Sequence, residues 1–344
     1  MGIKAYSRTS MLILLLFFTG RNTSAQIIKK RFTNHHVHLQ DEASRQLGYR
    51  MMKAFGEVPA RTDSLLLNAD SLIQRLDRAH FKNAWIISNA YWFGSPFITE
   101  ENEDRSVREQ NDWIAAQAAL YPDRLEAFMS INPLRSYAAE EVARCIKTRR
   151  YSGIKMHFAN SKVDLRDTMQ LKKVQEIIDL ANNAHLIILL HLRNAKLWDG
   201  KATATVFLKE ILPHADQTTV VLAHMGGWGN FDQPTQEAYS ILAHHVQTAD
   251  KKGGSLFFDI SAVLSTKNKS TRKDAVARQA EQLKAFANMV KTFGTDHLLF
   301  GTDWPLYEIE EYRKSLERIL GVVHTNKILQ NNLPHHASAK QSDF

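Results

Sequence analysis

Cysteine is almost absent: Cys145 is the only one in 344 residues. No internal disulfide can form, so the fold must be held by its core rather than by cross-links. Cys145 lies in AAEEVARCIKTRR, a helical pattern with no neighbouring feature that would lower a thiol pKa. It reads as a buried structural thiol, not a nucleophile. Long apolar runs are also missing. The run at residues 11–18, MLILLLFF, is far short of the roughly 20 residues a spanning helix needs. No internal repeat or low-complexity linker divides the chain. No Gly-rich phosphate loop follows the first strand-like run, which weakens an open doubly wound sheet. Basic and aromatic residues do not interleave as a nucleic-acid surface requires, so the formal charge of +8 reads as a solvated surface that favours anionic substrates in a general way.

What is present starts with a processing segment. Lys4 and Arg8 precede the apolar run, and Thr23, Ser24 and Ala25 supply small residues for a peptidase. This layout predicts a secretory signal peptide over residues 1–25, cut after Ala25, and an exported chain, periplasmic or secreted. An uncleaved anchor is the competing reading. No Cys follows the cut, so no lipid anchor and no stable membrane association are expected. N-terminal sequencing of the exported protein should begin at Gln26; a mature chain that keeps residues 11–18 would refute cleavage.

The remainder, residues 26–344, reads as one domain. It is 44% hydrophobic and 23% charged over the whole chain, enough apolar material for a substantial core. Eight short apolar runs recur: residues 31–39 (RFTNHHVHL), 83–90 (NAWIISNA), 125–131 (LEAFMSI), 153–158 (GIKMHF), 186–192 (LIILLHL), 219–224 (TVVLAH), 255–261 (SLFFDIS) and 298–303 (LLFGTD). Amphipathic stretches such as 64–78, 171–184 and 276–293 separate them, with apolar residues three and four apart. Strand runs alternating with helices predict an α/β fold, a single (β/α)8 barrel of the TIM type. The irregular stretch at 91–104 (YWFGSPFITEENED) would overhang the active face, its aromatics either walling a pocket or packing on themselves.

In such a barrel the chemistry sits at the C-terminal ends of the strands. That is where the polar residues fall: His36 and His38, Lys155 and His157, His191, His224 and Asp303. Residues two apart on a strand share a face, so His36 and His38 can meet one ion, while His35 would point away. Lys155 and His157 share a face in the same way. Imidazole and carboxylate suit zinc and similar divalent ions. Each residue alone has a plain structural reading, His191 as a core histidine, His224 as support for its turn, Asp303 as a turn former. Their recurrence at several strand ends favours a site. Arg193 follows His191 by two and would either hold an anionic group bidentately or form a surface salt bridge. Asp259 and Ser261 are further pocket candidates. His185, His214, His244, His245, His335 and His336 lack partners at metal spacing and read as surface residues.

Five segments carry a family resemblance: Asn34-His35-His36-Val37-His38, Gly153-Ile154-Lys155-Met156-His157, Leu190-His191, Ala223-His224-Met225-Gly226-Gly227 and Phe300-Gly301-Thr302-Asp303-Trp304-Pro305. With them the chain resembles the amidohydrolase superfamily, in the amidohydrolase-related branch that also contains decarboxylases akin to aminocarboxymuconate-semialdehyde decarboxylase. The family usually carries Asp where this chain has Asn34, a departure expected to affect a supporting contact. The resemblance implies one divalent metal, zinc by default with manganese open, held by His36, His38, His191 and Asp303. It implies that Asp303 also takes a proton from water and that His224 polarises a substrate carbonyl. Related proteins with a carboxylated lysine on the fourth strand bind two metals; here Lys155 is expected as a positive group beside the substrate, with His157 and Arg193.

The expected activity is hydrolysis of a small ester, lactone or amide by metal-activated water. The alternatives are non-oxidative decarboxylation of an unsaturated or aromatic acid, and a non-catalytic metal- or ligand-binding barrel. The partner is a small molecule rather than nucleic acid, and a homo-oligomer is compatible with the sequence.

Overall fold

The computed structural model describes residues 32–54, 67–193, 199–248, 255–264 and 273–333. The proposed signal peptide and its cleavage site lie outside them. Among the described residues no helix is long and apolar enough to cross a membrane.

Among the described residues eight strands form one parallel sheet in sequence order: β1 (Phe32–His38), β2 (Phe81–Ile87), β3 (Leu125–Ile131), β4 (Gly153–His157), β5 (Ile187–His191), β6 (Val220–Leu222), β7 (Leu256–Asp259) and β8 (Leu298–Leu299). Helices between them, such as Ala69–Arg78, Thr168–Asn183 and Lys273–Phe293, cover the outside. The arrangement is the (β/α)8 barrel expected from the sequence. β8 is shorter than its apolar run because the residues after Leu299 leave its ladder to close the ring. The His35 amide donates to the Phe300 carbonyl at 2.8 Å, Asp303 N–H to the His36 carbonyl at 2.9 Å, and His38 N–H to the Trp304 carbonyl at 2.7 Å. Closure thus places Asp303 directly against β1.

Two apolar clusters result from strand alternation. The outer one packs Val37, Ile86, Met129, Ile154 and Ile188 under the helices. The inner one fills the barrel floor with Trp85, Phe128, Leu189, Val221 and Leu299. A barrel interior is a packed core, and each such side chain contributes about 1.5–3 kcal/mol when fully buried. Gly153 makes the floor possible. A β-carbon there would sit 2.2 Å from the Phe128 ring. One pleat further along, the interior changes from apolar to polar. On β4 Gly153 is followed by Lys155 and His157, on β5 Leu189 by His191, and on β7 Phe257 by Asp259. Register pairs His157 with His191 side by side, while Lys155 pairs with Leu189 one pleat lower, at the boundary of the apolar floor.

The structure corrects the expected orientation of His35. β1 carries a bulge, with Asn34 paired to Ala84 but Val37 to Ile86. The extra residue shifts the alternation, and His35 turns onto the barrel floor beneath His36. Its ring meets the edge of Trp85 at 4.6 Å, and Nδ1 bonds the Phe300 carbonyl at 2.9 Å. Burial pushes its pKa down to about 4, so it is a neutral structural histidine.

Cys145 is buried as expected, its thiol 3.3 Å from Glu141 Oε1. Glu141, on the helix Ala138–Thr148, accepts from Asn111 at 2.9 Å and from Arg144 Nε at 2.7 Å. Asn111 in turn bonds both backbone groups of Ser130 on β3. Burial pushes the Glu141 carboxyl up, but Arg144, Asn111 and Cys145 outweigh it and hold it below the usual range. A depressed folded pKa means stability that is present above the ordinary carboxylate range and is lost as pH falls through the folded value. Glu141→Gln should cost about 2 kcal/mol at pH 7, the scale of hydrogen bonds to a charged group. It should also flatten the loss of stability in acid. Urea titrations at pH 7 and pH 3.5 check this; equal destabilisation at both would refute it.

Candidate metal centre

Three donors converge at the mouth. His36 Nε2 lies 3.3 Å from His38 Nε2, and each lies 3.6 Å from Asp303 Oδ1. Ligands about 2.0–2.1 Å from one tetrahedral ion are themselves about 3.3 Å apart, so these separations suit a shared divalent cation. The ring nitrogens also present the right lone pairs. His36 Nδ1 bonds the carboxylate of Asp259 at 2.8 Å, which places its proton on Nδ1 and leaves Nε2 free to ligate. Burial pushes His38 down to about 3, against the pull of Asp303, which suits a ring that offers a lone pair to a metal. For Asp303, burial pushes the carboxyl up, but His36, His224, His38 and Lys155 hold it ionised below the ordinary range. The donor set therefore fits a metal.

Backbone strain supports the same spot. Asp303 has φ 58° and His224 φ 55°, left-handed values that non-glycine residues seldom adopt. Each is pinned by a long-range bond, Asp303 N–H to His36 O and His224 N–H to Asp259 Oδ1 at 3.1 Å. Asn34 holds the closing loop from below. It donates to Thr302 Oγ1 at 2.8 Å and accepts from Thr302 N–H at 3.1 Å. It supports and does not ligate.

Asp259 and Ser261 do more than line a pocket. Asp259 Oδ1 accepts from the amides of His224 and Ser261 and from the Ser261 hydroxyl, while Oδ2 holds His36. Burial pushes this carboxyl up, but His36, His224 and Lys155 outweigh that and lower it. The signal was visible in the sequence as a charge ending an apolar run, two residues after Phe257. Asp259→Asn should weaken metal binding about 10- to 100-fold, the usual loss when a ligand histidine loses its orienting partner. Competition against a chelator measures it; unchanged affinity would remove Asp259 from this role.

A match to the Amidohydrolase family model covers residues 88–319. The chain belongs to the amidohydrolase family. The match begins after β1, so His36 and His38 join the site by geometry. No curated protein sequence matches the chain. Among solved structures it is similar to a dihydroxybenzoic acid decarboxylase from Polaromonas sp. JS666 with bound manganese and 2-nitroresorcinol, at 18% identity and TM-score 0.56, covering 87% of this chain and 94% of that one. It is similar to 5-carboxyvanillate decarboxylase from Sphingomonas paucimobilis at 13% identity and TM-score 0.55, covering 88% and 100%. It is also similar to an amidohydrolase from Burkholderia multivorans with bound zinc, at 12% identity and TM-score 0.53, covering 87% and 96%. At these identities the likeness establishes the fold.

The other residues expected at the site lie around the three donors. His191 is not among the donors that lie within 4.8 Å of one another. Its ring stacks on His157 at 3.8 Å and meets the edge of His224 at 5.0 Å. Both its nitrogens are buried and bond no described group, a state that a ligand or substrate would relieve. Lys155 is fully buried, its Nζ 3.4 Å from His36 Nε2. Burial pushes it down to about 8, with Asp259 and Asp303 pulling it back. Among the described residues it has no carboxylate within ion-pair distance. Burial also drives His157 and His191 well below the ordinary histidine range, and His224 below it to a lesser degree.

Arg193 Nη1 bonds both Asp232 oxygens at 2.9 and 2.8 Å, a salt bridge of the kind weighed for it from the sequence. The stretch after β2 is less irregular than expected, opening with the helix Ala90–Phe93. From it Tyr91 stacks on His157 at 5.2 Å, whereas Phe97 takes Lys162 over its ring. Trp228, half exposed, closes the other side edge-on to His157 and His191.

Proposed function

We propose that this amidohydrolase is a metal-dependent non-oxidative decarboxylase of a small aromatic acid. The observation that carries the reading is Lys155: a buried ammonium beside the metal donors with no carboxylate partner among the described residues. Such a charge calls for an anion, and a substrate carboxylate supplies one. Tyr91, His157 and Trp228 give the flat, partly apolar walls an aromatic ring needs. The names of the Polaromonas and Sphingomonas proteins support decarboxylation over the hydrolysis expected from sequence. His36, His38 and Asp303 would hold the metal, with His191 beside them; zinc and manganese, each bound by one of the similar proteins, are both candidates. When bound, the ion supplies Lewis-acid charge that draws electrons from a carboxylate or carbonyl.

The chain's own groups account for the rest. Lys155 and His157 would anchor the acid, and the aromatic walls exclude water from the ring. Decarboxylation exchanges a C–CO2 bond for a C–H bond and consumes one proton. Asp303, 20% exposed where His36 is 1%, is the cluster member through which solvent can deliver it. Hydrolysis is the second reading, favoured by the ionised state of Asp303, which suits a group that takes a proton from water.

The test is a panel of hydroxybenzoic acids, aromatic esters and lactones offered to zinc- and manganese-loaded protein in 18O water. One CO2 per arene released supports decarboxylation. Label entering a carboxylate product without CO2 would establish hydrolysis instead. Tight binding without turnover of any member would leave a binding barrel.

A further inference from the structure

Two histidines that flank His191 are tied to backbone groups of opposite kind. His157 caps the short helix Phe158–Ser161, and its Nδ1 accepts from the Asn160 amide at 3.3 Å. An amide can only donate, so Nδ1 carries a lone pair and the ring proton sits on Nε2. His224 has the reverse tie. Its Nδ1 lies 2.8 Å from the Ser261 carbonyl oxygen, which can only accept. Nδ1 must therefore carry the proton, and in the neutral ring Nε2 keeps the lone pair. The Ser261 hydroxyl is consistent with this. It donates to Asp259 Oδ1, leaving its oxygen to accept at 3.0 Å from the Nδ1 of both His36 and His224.

We propose that His157 and His224 are locked in opposite tautomers, making His157 the hydrogen-bond donor and His224 the acceptor toward a bound acid. This revises the role expected for His224. A neutral His224 cannot polarise a carbonyl through Nε2, because that atom has no hydrogen to give. His157, stacked between Tyr91 and His191, has one. The pair would then set specificity. A ligand places an oxygen lone pair toward His157 and a hydrogen, from a hydroxyl or a water, toward His224. The reason for two different locks is physical. Unrestrained imidazoles interconvert between tautomers, and a ligand would have to select one form of each ring. Ties to backbone groups settle the choice during folding. The inference about a bound acid rests on the proposed decarboxylase reading; the tautomers themselves do not.

Two measurements test it. Two-bond proton–nitrogen NMR on zinc-loaded, 15N-labelled protein reads which ring nitrogen is protonated, with His157→Gln and His224→Gln assigning the signals. Protonated Nε2 in His157 and protonated Nδ1 in His224 are expected. The same tautomer in both rings, or exchange between forms, would overturn the proposal. The second measurement is benzoate affinity by calorimetry. Glutamine places its amide near the position of Nε2, and asparagine near Nδ1. His157→Gln should stay within about threefold of the unmodified protein, while His157→Asn should bind about 10- to 100-fold more weakly, as expected for losing a hydrogen bond to a charged group. Equal loss in both variants would reduce His157 to packing. Failure of the unmodified protein to bind benzoate would count against the decarboxylase reading, and the spectra would still decide the tautomers.

Discussion

His36→Ala should lower the bound divalent metal from about one ion per chain to less than about a tenth, on the three-protein-ligand logic of catalytic metal sites. Elemental analysis after dialysis reads the result. His36 is central for three reasons. Its Nε2 is within 3.3 Å of His38 and 3.6 Å of Asp303. Its Nδ1 is the donor that Asp259 Oδ2 holds. Its ring stacks with His224 at 5.1 Å, so the ring also fills the space between two strand ends. Removing it takes away a ligand and leaves the buried Asp259 without that donor. The melting temperature should fall as well, both from the Asp259 oxygen left without its donor and from the lost stabilisation by bound metal. Circular dichroism separates loss of metal from loss of fold. A folded His36→Ala protein that keeps one ion per chain would remove His36 from the centre.

The second large effect is expected at Asp303. Asp303→Asn should lower kcat about 1,000-fold, in the range of a group that moves a proton in the rate-limiting step. Its melting temperature should change by only a few degrees. Asparagine spares the backbone here because it tolerates the left-handed conformation nearly as well as aspartate, and Asp303 sits at φ 58°; it also weakens a metal donor, so the assay is run at saturating metal. The hydrogen bond that Asp303 N–H donates to the His36 carbonyl does not depend on the side chain. What changes is the charge, which lies among the metal donors and beside the buried Lys155. Activity within tenfold of the unmodified enzyme would rule out a proton-transfer role for Asp303.

Most of the fold was legible along the chain, and the reason is periodicity. β3 runs over Leu125–Ile131, the very span of its run, because a parallel strand is buried on both faces and stays mostly apolar, with Glu126 and Ser130 as its two interruptions. β8 is shorter than the run 298–303 because Phe300 continues the apolar pattern while the chain leaves one ladder to close another. His36 and His38 were legible as a pair from the two-residue repeat of a strand, and that repeat also explains the failure at His35. A bulge adds one residue without any mark in composition. Arg193 could not be resolved from sequence because its partner Asp232 is 39 positions away.

The sequence by itself determined that this is a barrel, where its strands run, and that imidazole, amine and carboxylate groups sit at their C-terminal ends. These are local properties, set by side-chain alternation and by the switch from apolar to polar at each strand end. Tertiary structure alone decided which groups meet. It joined Asp303 to the histidines of β1, hung His36 and His224 on Asp259 and Ser261, and gave His157 and His224 opposite backbone partners. Those contacts are hydrogen bonds with specific direction, most of them between residues far apart in the chain, and direction exists only once the ring has closed.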